Sequence, residues 1–283
     1  TDQATGNHKE MIQIPDFKDK AQLFAYLRAN KQLLVTAKKS AIKYADAIMF
    51  SPFVTNSTGK IEKAVANIEL LNANEFPVDI VINTTYIRDS HKDVHIDGIW
   101  KKSISERKMI YHLQEHEMRF DKVISDTVRA STRKMTWAEL GENYEGSTEA
   151  LVFHSTITKD RNPFMFEQYA RGYVKNHSVG MQYVKIDLAM NSESKYDQDE
   201  KAVWDKYIDK IANREEVEAD GYFWAVTEAK LIEGSAVLIG SNRVTPTINI
   251  GEAPKALNTA DDVTDPEPLN WGALAEAFKS KSK

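Results

Sequence analysis

The chain has 283 residues, of which 42% are apolar, 28% charged and 10% aromatic, a balance typical of globular proteins rather than disordered or collagenous ones. Lys and Arg total 37 against 42 Asp and Glu, for a formal charge of -5 without a dense basic block, so no direct nucleic-acid partner is expected. The absence of cysteine excludes a disulfide framework, a thiol nucleophile and Cys-based metal sites. Apolar runs fall short of the roughly 18 residues of a membrane-spanning helix, so no membrane contact is expected.

The predicted elements begin with helices and continue with strands. Apolar residues at three- and four-residue steps predict a helix from Asp19 to Ala45 and a weaker one from Ile61 to Asn74. After Pro77, the alternating run VDIVINTTYI predicts a strand, and KMIYHL and ALVFHSTI predict two more. FMFEQYARGYV then predicts a helix that leads directly into the strand-like HSVGMQYVKI.

Residues 192–220 are dense in charge but carry apolar residues at helical spacing, which predicts an amphipathic helix inserted between strands. The strand-rich block GYFWAVTEAKLIEGSAVLIG follows, and the end of the chain resembles a linker with one short helix, WGALAEAF. The pattern therefore predicts a helical N-terminal extension over 1–75, a β-rich domain over 76–255 that contains the insert, and a linker-like tail over 256–283.

One zinc-binding pattern is present. HLQEH fits HxxEH, in which two imidazoles one helical turn apart, here His112 and His116, bind zinc while the intervening Glu acts as a base. The preceding KMIYHL is strand-like, so a chance match stays open as the alternative. The chain lacks a GxSxG elbow, a Walker loop and a GxGxxG loop, and most of its paired carboxylates lie in the charged insert, where a solvated helix face explains them.

Ser178 is the hydroxyl with the most unusual position. It lies at a helix-to-strand junction and is followed by Val179 and Gly180, which can leave the Oγ accessible and allow another backbone to approach closely. The same spacing fits an ordinary turn residue, and His116 beside Glu115 fits an ordinary surface histidine. Taken singly, these residues leave both interpretations open.

Four segments in a fixed order carry a more specific signal: RDSHKDVHIDGIWKKSI (88–104), MIYHLQEHEMRFDKVIS (109–125), NHSVGMQYV (176–184) and EAKLIEGSAVLIGSNRVTP (228–246). Together they resemble the prohead maturation serine proteases of tailed phages, a family related to herpesvirus assemblin. The first resembles the family's DSxxDVxxxGxFxxSL segment. In the others, the catalytic histidine of the family falls on His116, the nucleophile of its SIGF segment on Ser178, and the acid of its closing ExSLVxxPAN segment on Glu233. The resemblance covers about residues 78–250.

The resemblance implies an α+β fold with a mainly antiparallel β-barrel core and surrounding helices, assemblin-like, in addition to the helical N-terminal extension. It implies a serine endopeptidase without metal or cofactor, in which His116 takes the Ser178 proton and Glu233 orients the imidazole. The substrates would be scaffolding and major capsid proteins and the protease itself, inside the immature capsid in the host cytoplasm. Because proteases cut exposed, extended segments, we expect self-cleavage in the linker-like stretch near residues 255–270. Self-association into a homo-oligomer is also implied. The alternatives are a zinc-dependent hydrolase using His112 and His116 and a non-catalytic capsid or scaffold component.

Overall fold

The computed structural model describes residues 14–43 and 68–251, which form both helices and strands. The helices are α1 (Lys20–Ser40), α2 (Lys101–Glu106), α3 (Pro163–Ala170), α4 (Gln198–Tyr207) and α5 (Arg214–Asp220). The strands are β1 (Ile42–Lys43), β2 (Glu75–Thr84), β3 (Asp93–His95), β4 (His112–Gln114), β5 (Val123–Ser125), β6 (Val128–Thr136), β7 (Ser147–Thr158), β8 (Asn176–Met190), β9 (Tyr222–Val237) and β10 (Thr247–Ile250). The predicted α+β class is confirmed.

The first sheet is built around β8 and β9, two long strands that pair antiparallel. Its strand order is β1-β8-β9-β4-β5, and β3 pairs with a separate stretch of β9. Both β3 and β4 run parallel to β9. The strand β9 therefore has β8 along one side and both β4 and β3 along the other, so segments far apart in sequence become neighbours across it.

The second sheet has the order β10-β2-β7-β6 and is antiparallel throughout. Its apolar side chains Val78, Ile80 and Phe153 belong to the same buried cluster as Val179 and Leu231 of the first sheet. The two sheets therefore pack on each other, which removes the apolar face of each from water.

The predicted β-barrel core is not confirmed, because neither sheet closes on itself within the described residues. The first sheet ends at β1, which has two residues, and at β5, which has three; the second ends at β10 and β6. Strands as short as β1 and β5 cannot continue the hydrogen-bond ladder around a cylinder. The alternating pattern of the strands predicts which face is buried but not whether the sheets join.

The first predicted helix is present as α1. Asp19 caps it by accepting the Gln22 backbone N–H at 2.9 Å, and the chain turns extended after Ser40. Its buried residues Phe24, Leu27 and Leu34 lie in the main core cluster. The helix is thus packed into the core, and a separate N-terminal helical extension is not confirmed. The remainder of the 1–75 span up to residue 13 and over 44–67, and the tail 256–283, lie outside the described residues.

The charged insert forms two short helices, α4 and α5, where the sequence pattern predicts one. A 3-10 turn at Ile208–Lys210 separates them, and Asn213 after it accepts the backbone N–H of Arg88 at 2.8 Å. The apolar side chains at helical spacing pack in a second cluster with Phe223 and Ala225.

None of the helices in the described residues combines the length and the apolar character that a membrane span requires.

Candidate active site

The site begins where β4 ends in a left-handed turn. Glu115 and His116 have φ angles of 53° and 60°, a region that costs non-glycine residues roughly 1–3 kcal/mol each. Two contacts to β9 hold this turn: the Glu115 N–H donates to the Ala236 carbonyl at 2.9 Å, and the His116 N–H donates to Ser235 Oγ at 3.0 Å. The turn therefore directs the chain back over β9 and places the His116 ring above it.

A buried imidazole–carboxylate pair forms at this point. His116 Nδ1 lies 2.6 Å from Glu233 Oε1, and the side chains are only 8% and 1% exposed. An ionised carboxylate can only accept, so Nδ1 carries the hydrogen and Nε2 is the basic nitrogen of the neutral ring. This is the tautomer that a general base requires when an acid orients it.

Ser235 closes a ring of hydrogen bonds around this pair. Its Oγ–H donates to Glu233 Oε2 at 2.6 Å, while its Oγ accepts the His116 backbone N–H. Ser235 is fully buried. Ser235 thus contacts both the acid and the backbone of the turn that carries the base.

The space for the Glu233 carboxylate is provided by a glycine on the neighbouring strand. Gly180 of β8 lies opposite Glu233 of β9, and a Cβ atom at position 180 would lie 2.0 Å from Glu233 Oε1. Any side chain at position 180 would therefore displace a carboxylate that two hydrogen bonds hold in place. The sequence predicts that Gly180 allows another backbone to approach closely; in the structure the group that approaches is the carboxylate of Glu233.

Ser178 lies on the same face of the first sheet. It is 5% exposed and pairs directly with Ser235 across β8 and β9, and directly opposed residues project to one side with Cβ atoms about 5 Å apart. The described contacts join His116 to Glu233 and Ser235 and set Ser178 beside them without a direct hydrogen bond to the imidazole. Nucleophile–base hydrogen bonds are often long in unliganded sites and shorten when substrate binds.

His112, the other histidine of HLQEH, lies in a separate hydrogen-bond network. His112 lies on a strand, not a helix, and its two ring nitrogens contact Ser155 Oγ at 3.1 Å and Tyr169 Oη at 2.9 Å. Burial, with a contribution from His177, lowers the pKa of His112 well below its ordinary value. The zinc alternative is therefore not supported, since its helical spacing is absent and both nitrogens of His112 are already in hydrogen bonds.

A continuous chain of hydrogen bonds runs behind the site. The His177 Nδ1–H donates to the Thr245 carbonyl at 2.9 Å, so His177 Nε2 accepts from Tyr169 Oη, which is 2.9 Å away. Tyr169 Oη then accepts the His112 Nε2–H, and Ser155 donates to His112 Nδ1. All donors are matched when both rings are neutral. As alternation along β8 predicts, the His177 ring points away from the face of Ser178.

A groove adjoins the site on the side of α3. It has a volume of about 540 Å³ and is lined by Gln114 and Glu115 before the base, Asn176 before the nucleophile, and apolar side chains that include Met165 and Leu238. An open, mainly apolar groove bordered by strand ends is a surface on which an extended peptide can lie.

The DSxxDV segment lies away from this groove. Asp89 accepts the Asp93 backbone N–H at 2.9 Å, and the buried Asp93 carboxylate accepts the Tyr183 hydroxyl at 2.8 Å. The strand β3 meets β9 at Ala225, nine residues or about 30 Å along the strand from Gly234. The first of the four matching segments therefore marks a structural element, which pairs with the far end of the strand that carries the acid.

Comparisons of the chain with protein-family models, with curated proteins and with solved structures found no match. The interpretation of the site therefore depends on its geometry and on the resemblance of the four segments.

Proposed function

We propose that the chain is a serine endopeptidase with Ser178 as nucleophile, His116 as general base and Glu233 as the orienting acid. The observation that supports it best is the 2.6 Å contact between His116 Nδ1 and Glu233 Oε1 on the sheet face that also bears Ser178. The three residues are separated by 62 and 55 positions in sequence (116 to 178 to 233), yet they lie on β8, on β9 and in the turn after β4, and both β8 and β4 pair with β9. Such an arrangement is recognised by geometry and roles rather than by order along the chain.

The reaction follows from the roles of the three groups. Ser178 Oγ attacks a peptide carbonyl as its proton passes to His116 Nε2, and the imidazolium is stabilised by Glu233. The imidazolium then protonates the leaving amine as the C–N bond breaks. Water hydrolyses the acyl-enzyme by the same proton transfers, which restores the serine.

The biological setting is proposed from the resemblance of the four segments. Scaffolding and capsid proteins of an immature phage capsid would be cleaved in the host cytoplasm, the protease would also cut itself, and its copies would associate. In this proposal the fold is related to that of assemblin, with the strands in two open sheets. The groove beside α3 would hold the extended substrate segment.

The decisive experiment compares the full chain with its Ser178→Ala variant, incubated with a scaffolding protein and analysed by mass spectrometry. We expect wild type to release fragments and shorten itself near residues 255–270, and the variant to do so more slowly by several orders of magnitude. A fluorophosphonate should modify Ser178. Cleavage at a similar rate by both proteins would overturn the assignment, and absence of cleavage by either would favour the non-catalytic capsid component.

A further inference from the structure

A second serine–histidine–aspartate arrangement lies on the second sheet. Ser131 Oγ is 3.0 Å from His154 Nε2, and His154 Nδ1 is 2.7 Å from Asp79 Oδ1. The three residues come from the adjacent strands β6, β7 and β2. Phe153 packs in the core between the sheets, so His154 beside it projects from the opposite face of β7. The arrangement is therefore on a different surface from the candidate protease site.

The direction of the hydrogen bonds is the one that nucleophile activation needs. The Asp79 carboxylate accepts, so His154 Nδ1 carries the hydrogen and Nε2 accepts the Ser131 hydroxyl. Burial raises the pKa of Asp79, but hydrogen bonds from His154 and from Asn249 Nδ2, at 3.2 Å, outweigh it and the pKa lies below its ordinary value. The acid is thus held ionised against the imidazole, as an orienting group must be.

The surroundings leave this arrangement accessible. The side chains of His154 and Asp79 are 13% and 14% exposed, and Ser131 is partly exposed on β6, an outer strand of its sheet. Arg129 pairs with His154 across the strands, is exposed, and its charge contributes to lowering the pKa of Asp79. Val152, opposite Ser131, belongs to a buried apolar cluster that borders the three residues. A positive charge on one side and an apolar border on the other suit a small ester.

We propose that Ser131, His154 and Asp79 form a second nucleophilic site that accepts small activated carboxylic esters. Ser131 Oγ bonds to the carbonyl carbon while its proton moves to His154 Nε2. The ester C–O bond then breaks, and the leaving alcohol takes that proton. Water then attacks the acyl carbon and gives one proton to His154 Nε2. The bond to Ser131 Oγ breaks, the carboxylic acid leaves, and Ser131 Oγ takes the proton back from His154. Asp79 stabilises the imidazolium throughout, and Arg129, which pairs with His154 across the strands, supplies a positive charge for the developing oxyanion.

The test uses the full chain carrying Ser178→Ala, so that it is independent of the proposed protease site. The protein is treated with a fluorophosphonate, and the modified residue is located by peptide mass mapping; hydrolysis of p-nitrophenyl acetate is measured in parallel. We expect modification of Ser131 and a turnover that falls by about 10²-fold in Ser131→Ala and His154→Gln. Thr132→Ala, an exposed neighbour on the same strand, should leave both readouts unchanged.

Asp79→Asn supplies a milder second variant that keeps the side-chain shape, and thermal unfolding shows whether each variant is folded. We expect modification of Ser131 to slow in folded Asp79→Asn, because the amide cannot hold the imidazole in the same tautomer. An unmodified Ser131 in the Ser178→Ala protein would overturn the proposal. Modification of Ser131 in folded Asp79→Asn and His154→Gln at the same rate as in the parent Ser178→Ala protein would also overturn it.

Discussion

At the scale of single residues, the candidate site depends on two residues, Gly180 and Ser235, that take no direct part in the proposed reaction. Gly180 leaves the volume that the Glu233 carboxylate occupies, and Ser235 holds that carboxylate and the His116 backbone at once. The imidazole is thus oriented by a carboxylate that is itself fixed, which is how a site reaches the narrow tolerances that catalysis requires.

Gly180→Ala should act on the acid rather than on the strand. The new methyl carbon would lie 2.0 Å from Glu233 Oε1, so the carboxylate must rotate away from His116 Nδ1. We expect kcat for peptide cleavage to fall about 10²-fold with little change in KM. Combining it with Glu233→Gln should add almost nothing, since both changes remove one contact. Losses that multiply in the double variant would contradict this explanation.

Ser235→Ala tests the closed ring of hydrogen bonds. It leaves the His116 N–H and Glu233 Oε2 without the Ser235 partner, and the loss of one such bond from the transition state corresponds to about tenfold in rate. We expect kcat to fall by about that factor while KM for the peptide is unchanged. A rise in KM alone, measured on folded protein, would instead assign Ser235 to substrate binding.

At the scale of elements, the buried chain from His112 through Tyr169 to His177 joins β4, α3 and β8. Its donors are matched only while both imidazoles are neutral. Burial lowers the pKa of His177 to about 4, although its hydrogen bond to Thr245 opposes the shift, and burial lowers the pKa of His112 well below its ordinary value. Protonating either ring in the folded protein would place a charge in the core.

The stability of the protein should therefore fall as the pH is lowered from about 6.5 to about 4. In this window the unfolded chain binds protons at both histidines and the folded protein does not, so the free energy of unfolding decreases with pH. From pH 7 to pH 5, His177 alone accounts for about 2 kcal/mol, and His112 adds to the loss. Urea unfolding at a series of pH values measures this. His177→Gln should flatten the pH dependence, and an unchanged slope in that variant would count against the assignment.

The elements themselves were predictable where local pattern decides them. Alternating or three- and four-residue spacing predicted α1, α3, β2, β7 and β8, because each buries one apolar face. The prediction was wrong in detail at KMIYHL, of which the structure forms only the end as β4. The predicted barrel is not confirmed, because sheet closure depends on pairing between distant strands. Local sequence carries no signal for that pairing.

At the scale of the whole molecule, ion pairs as well as apolar contacts hold α1 against the rest of the described protein. Lys38 forms an ion pair with Asp93, whose side chain is fully buried, and Arg28 pairs at 2.6 Å with Asp197, which is almost as buried. The cations lie on one helix and the acids on separate segments. The helix therefore neutralises carboxylates that the rest of the protein encloses.

Lys38→Met should lower the free energy of unfolding by about 3 kcal/mol, because it leaves the Asp93 carboxylate buried without its cation. Thermal or urea unfolding measures the change. Lys39→Met, one residue along the same helix, is the matched control and should cost less than about 0.5 kcal/mol. Equal losses in the two variants would show that the charge on Lys38 is not what stabilises the helix.

The assembly of the candidate site also belongs to this scale. Sequence spacing alone could not group His116, Ser178 and Glu233, since the elements that carry them become neighbours only because β9 pairs with β8 and β4 on its two sides. The resemblance of the four segments grouped them without giving their contacts. Ser131 and His154 had no motif to group them, because their residues are joined only by the register of β6 and β7.

The left-handed turn at the end of β4 limits which residues can replace His116 in an experiment. Asparagine and glycine tolerate a φ of 60°, whereas a β-branched valine at position 116 would force the main chain itself to rearrange. An asparagine replacement thus separates loss of the proton acceptor from damage to the backbone, while a valine replacement mixes the two. Natural variation at this position should be limited in the same way, by the geometry of the peptide unit as much as by the chemistry of the ring.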